Sequence, residues 1–128
     1  MFKFVIGALI VLHGLVHLFY FGQSRRLFEL QPGMVWPDKS WVFSAHMGDE
    51  VIRSLANISC LLAAAGFVAG GSGMVMGWTW WRAMVMGVAV FSTSFYILFW
   101  DGTGQKLADQ GGIALLINIA ILVAIFIW

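Results

Sequence analysis

Phe4-Val5-Ile6-Gly7-Ala8-Leu9-Ile10-Val11-Leu12-His13-Gly14-Leu15-Val16-His17-Leu18-Phe19-Tyr20-Phe21-Gly22 decides the fold class. The run carries no charged residue, and as a helix rising about 1.5 Å per residue it reaches across a hydrocarbon core of roughly 30 Å. Inside it, His13 and His17 are four residues apart and fall on one helix face, about 40° from each other. Tyr20 and Ser24 continue that face. A polar ring without a partner is costly in hydrocarbon. The His13–His17–Tyr20 stripe must therefore face other helices, not lipid.

The rest of the chain repeats the pattern. Of 128 residues, 61% are hydrophobic and only 10% charged. Mean hydropathy is +0.90. Soluble domains carry about 25% charge, so the composition reads as one polytopic membrane domain, all-α. A net charge of +1 leaves no basic patch for phosphates and excludes a nucleic-acid partner. The single cysteine, Cys60, excludes an intrachain disulfide and a four-cysteine metal site. The opening Met1-Phe2-Lys3 resembles a signal peptide, but the apolar run is long for one and lacks a small-x-small cleavage site, so it reads as a retained helix.

Four spans are expected, over residues 2–22, 41–69, 77–100 and 110–128, with both termini on one side. Asp38 or Ser40 would cap the second helix, and Gly70-Gly71-Ser72-Gly73 would end it. Trp78-Thr79-Trp80-Trp81-Arg82 reads as an aromatic belt with a snorkelling arginine. Arg25, Arg26, Lys39, Arg53 and Lys106 fall at the end opposite the termini, where only Lys3 and Arg82 lie. The positive-inside rule then puts the first and third connections in the cytoplasm of a bacterial or archaeal cell and the termini outside the cytoplasmic membrane.

On the second span, His46, Asp49, Arg53, Asn57 and Cys60 recur at helical steps, within an arc of about 80°. Asp49 and Arg53 form an i, i+4 pair in the favourable orientation, and Glu50 is beside the arc. An antiparallel hairpin would set this stripe against the first helix. The expected pocket is lined by His13, His17, Tyr20, His46, Asp49, Glu50, Arg53 and Asn57, and it would bind a small molecule or ion.

Imidazole with carboxylate suits zinc or iron, so His13, His17, His46 and Glu50 are candidate metal ligands. Haem is less favoured: His17 and His46 could supply its axial pair, but no attachment motif exists. His-Glu-x-x-His is absent, which excludes the zinc-protease signature. Two alternatives remain open. Ionisable groups in a membrane also mark a proton-coupled transporter, and a packing subunit of a larger complex, or a homodimer with Trp-rich faces, needs no ligand. Cys60 reads as a small apolar filler. Ser92-Thr93-Ser94 reads as satisfying backbone carbonyls inside the third helix.

The four-helix plan, the segment His13-Gly14-Leu15-Val16-His17-Leu18 and the Gly-rich start of the last helix together resemble the DoxX-like group of small bacterial membrane proteins. The resemblance covers nearly the whole chain. It implies a four-helix fold and a link to redox or quinone-associated membrane systems, but carries no catalytic residue over. Similar sequences bear a permease label, which implies a partner ATPase.

Overall fold

The computed structural model describes residues 1–104 and 106–128. Four helices form an antiparallel bundle: α1 (Phe2–Ser24), α2 (Asp49–Met76), α3 (Trp81–Leu98) and α4 (Ile113–Ile127). A kinked turn, Ala108–Gly112, with Gly111 at φ +100, leads into α4. α1, α2, α3 and the segment Ala108–Ile127 are each long and apolar enough to cross a membrane. The fold is a multi-pass membrane protein turned inside out relative to a soluble bundle. Large apolar side chains such as Leu9, Leu12, Phe19, Leu62 and Phe126 are exposed, while His13, His17, Ser92 and Asn118 are buried.

Each helix packs mainly on its neighbour in sequence: α1 on α2, α2 on α3, α3 on α4. α1 and α2 approach so closely because both carry glycine at the crossing. A Cβ on Gly71 would come within 2.7 Å of the Gly7 carbonyl oxygen, and one on Gly7 within 2.8 Å of that of Gly71. Small residues at this spacing let backbones touch in lipid, where dispersion and not the hydrophobic effect holds helices together. The termini share one end of the bundle, where the rings of Phe2 and Trp128 meet at 5.4 Å and Trp81 lies 6.2 Å from Trp128.

Two boundaries differ from the sequence expectation. The Gly70–Gly73 run does not end α2; it lies inside it, because the Gly7 contact needs Gly71 helical. α2 stops at Gly77, with φ +75. There Trp78 N–H donates to the Gly73 carbonyl at 2.9 Å and Gly77 N–H to that of Met74 at 3.3 Å, the paired bonds of a glycine-terminated helix.

At its other end α2 begins at Asp49 and not at Trp41. The chain from Ser40 is held by the last turn of α3. Ser40 Oγ donates to the Leu98 carbonyl at 2.7 Å, Trp41 Nε1 to that of Ile97 at 2.7 Å, and Trp41 N–H to that of Trp100 at 2.8 Å. Carbonyls left orphaned by a helix end are thereby satisfied. Asp49 and Glu50 then occupy the first turn of α2, where the helix dipole favours acids.

The first connection folds over this end of the bundle. Gln23 Oε1 accepts from Leu30 N–H at 2.7 Å and Gln23 Nε2 donates to the Met34 carbonyl at 3.1 Å. Arg26 donates to the carbonyls of Val35 and Trp36 and to Asp38 Oδ2. The same Asp38 oxygen takes Arg53 Nη1 at 3.1 Å.

Candidate functional site

α1 turns His13 and His17 inward on successive turns; they are 5% and 0% exposed. Around them the bundle supplies one partner from each remaining helix. Phe67 of α2 sets its ring 4.7 Å from that of His13 and 5.4 Å from that of His17. Ser92 of α3 lies 2.8 Å from His17 Nε2. Asn118 of α4 places Oδ1 2.7 Å from His13 Nε2 and donates from Nδ2 to Ser92 Oγ at 2.9 Å. His17 Nδ1 lies 3.0 Å from the carbonyl of His13 one turn back.

These distances fix the protons of the neutral rings. The His13 carbonyl can only accept, so His17 carries its proton on Nδ1 and its Nε2 accepts the Ser92 hydroxyl. The Asn118 amide spends an N–H on Ser92, so its Oδ1 is the acceptor and His13 is protonated at Nε2. One lone pair is left over. His13 Nδ1 is buried and has no partner among the described residues.

The node sits on the least packed seam of the bundle. The backbones of α1 and α4 lie farther apart than those of helices consecutive in sequence. The His13–Asn118 bond and the Phe2–Trp128 ring contact bridge them. A cavity of about 280 Å³ lies on the terminal side of His13, lined by Ile6, Leu9, Ile10, Met74, Trp81, Ile117, Ala120, Ile121, Ala124, Ile125 and Trp128 as well. A second, of about 220 Å³, lies on the loop side and is lined by Val16, Phe19, Tyr20, Leu30, Ala108, Asp109, Ile113 and Ala114. His13 and Ile117 line both. The seam is thus a trough with His13 at its midpoint, apolar on the terminal side and carrying Tyr20 and Asp109 on the loop side.

Of the residues expected to share one pocket, the structure groups some and separates others. His13 and His17 stand together at the node. Tyr20 is buried one turn nearer the loops, against Tyr96 (5.0 Å) and Trp36 (5.6 Å). His46 lies in the exposed turns before α2, outside the helical stripe expected for it, because α2 starts three residues later. Asp49 and Glu50 are exposed at the α2 N-terminus. Arg53 pairs with Asp38 and not with Asp49, because the first connection brings Asp38 to it. Asn57 is half-buried, and its Oδ1 has no partner among the described residues.

The structure therefore does not bring His46 or Glu50 to His13 and His17, and among the described residues no three His, Cys, Asp or Glu side chains lie close enough to hold a metal ion. Cys60 is fully buried in the apolar cluster around Tyr96 and Trp36. Ser94 bonds the Val90 carbonyl at 3.0 Å, as expected of a helix serine, but Ser92 is given to the node instead.

Sequence reasoning passed over Phe67 and Ser92 as site residues, and reads Asn118 equally as interhelical glue and as a pocket residue. Asn118 had a signal: it is the one strongly polar side chain in the run Ile113–Ile127. A search of known proteins returns no matching family model, no similar curated protein and no similar solved structure.

Proposed function

We propose that this protein binds a small membrane-dissolved molecule in the seam between α1 and α4, against His13. The observation that carries the reading is the coincidence of two features. A bundle-spanning polar node is built at mid-helix, and cavities of about 280 and 220 Å³ lie on either side of its buried residue His13. The terminal-side cavity is lined almost wholly by apolar side chains and its rim residues Leu9 and Ile117 are exposed on the apolar surface, which suits a small molecule entering from lipid.

Two features support binding over proton transport. The node holds no carboxylate, and an amide, Asn118, sits between its two imidazoles through Ser92. An amide does not relay protons as imidazole and carboxylate do. Kinship with DoxX-like proteins belongs to the same proposal, and is supported by the four-helix plan and by the place of His13-Gly14-Leu15-Val16-His17-Leu18 at the node. The orientation is likewise proposed from charge: Arg25, Arg26, Lys39, Arg53 and Lys106 lie at the loop end, which puts that end in the cytoplasm.

The test is native mass spectrometry of protein extracted from its membrane in mild detergent. Binding predicts a non-protein mass retained at one per chain, and its weakening in Ile117→Trp, which adds bulk to the wall that both cavities share. A chain that carries no adduct, or carries it equally in the variant, refutes the reading.

A further inference from the structure

The geometry points to a second site, at the loop end, for a phospholipid headgroup that carries a phosphate and a primary ammonium together, as phosphoethanolamine does. It lies apart from the α1–α4 seam and does not depend on the seam reading. The first and third connections border a cavity of about 320 Å³, whose lining includes Lys39, Phe99, Asp101, Thr103 and Lys106. A more open one of about 490 Å³ adjoins it, and its lining includes Asp38, Lys39, Trp41, Asp49 and Asp101. The two share Val35, Lys39 and Asp101, and so form one cleft.

The charges of this cleft are sorted along it. Lys106 lines only the first cavity, and Asp38 and Asp49 only the second. Asp38 is already matched, by Arg26 and Arg53. Lys106 Nζ donates to a neutral partner, the Pro32 carbonyl, at 3.1 Å. Asp101 Oδ1 accepts from the N–H and hydroxyl of Thr103, at 2.8 and 2.9 Å, which leaves its charge in place. Among the described residues Lys39, Lys106, Asp49 and Asp101 form no ion pair. Two positive and two negative charges therefore remain, with Lys106 at one end and Asp49 at the other. An anion alone would leave the acids unmatched, and a cation alone the lysines. A zwitterion matches both. Carboxylates only accept, so its cation must bring N–H donors, which a quaternary ammonium lacks.

Depth in the bilayer favours a lipid as the bearer of that headgroup. α3 has 18 residues, Trp81–Leu98. At about 1.5 Å per residue it spans about 27 Å, close to the hydrocarbon thickness. Phe99 and Asp101, which line the cleft directly after it, then lie at the level of lipid phosphates. The rim is apolar as well: Val35, common to both cavities, is 46% exposed, and Trp41 is 57% exposed. Such a rim suits acyl chains beside a charged cleft.

The experiment offers the purified, delipidated protein phosphatidylethanolamine, phosphatidylglycerol and phosphatidylcholine with the same acyl chains, and reads lipid retention by native mass spectrometry. The ethanolamine lipid should be held about fivefold more tightly than either of the others, the ratio that one partly exposed ion pair supplies. Asp49→Asn, at an exposed position, should narrow its advantage over the choline lipid and leave retention of the choline lipid as it was. Lys106→Gln should weaken all three. Equal retention of the three by the unaltered protein, or preference for another of them, overturns the assignment. Displacement of the lipid by an equal concentration of soluble phosphoethanolamine overturns the lipid as its source. The comparison of lipids on the unaltered chain needs no variant to fold.

Discussion

Asn118 Oδ1 lies 2.7 Å from His13 Nε2, across 105 positions of sequence, and joins the last helix to the first at mid-helix. The two backbones approach less closely than those of helices consecutive in sequence, so this bond carries an unusual share of the link between them. Asn118→Leu should leave the bundle folded but lower its stability by about 1–2 kcal/mol, in the range of interhelical hydrogen bonds in lipid. Unfolding in mixed micelles of increasing denaturing detergent reads it. An unchanged midpoint would mean that the two helices are held by something else.

Ser92 is shared between His17 and Asn118, so its removal strands two partners at once. Ser92→Ala and His17→Phe should therefore be non-additive. The double variant should lose less than the sum of the singles, with a coupling of roughly 0.5–2 kcal/mol. Strict additivity in a double-mutant cycle would show that the hydroxyl and the imidazole do not act together.

The loop end makes a contrast between two acids. Asp38 holds both Arg26 and Arg53, at 2.7 and 3.1 Å, while Asp49 is exposed at a helix start. Asp38→Ala should loosen residues 25–48 and speed their cleavage by an added protease several-fold. Asp49→Ala should leave the cleavage rate unchanged. The reverse order would restore the Asp49–Arg53 pairing that the sequence suggests.

Gly111 bends the chain into α4 with φ +100, and a Cβ there would fall within the ring of Tyr96. Gly111→Ala should cost about 2 kcal/mol or more, from backbone conformation and from displacing a buried ring. Thermal unfolding in detergent reads the loss. A variant as stable as the parent would mean that the turn is not built as described.

Much of this fold was legible in local sequence. Apolar runs without charge gave four spans, and the inward placement of His13 and His17 followed from the penalty on unpartnered imidazole. What was not legible depended on contacts far along the chain. Gly70–Gly73 looks like a turn until Gly71 is set against Gly7. The stretch after Trp41 has helical spacing, yet Ser40 and Trp41 bind the end of α3. His46 lost its place in the stripe for that reason, and Arg53 found Asp38 because the first connection folds back. In the node, the histidines were legible and their partners were not: nothing local in Ser92 or Asn118 says that the two will meet.

Photolabelling with a diazirine-bearing long-chain alcohol in native-like bilayers tests the account most directly. Label should concentrate on Leu9, Ile10, Ile117 and Ile121 along the α1–α4 seam and should fall in Ile117→Trp. Even labelling over the whole lipid-facing surface, with Leu62, Phe91 and Phe126 marked as strongly as the seam, would contradict it.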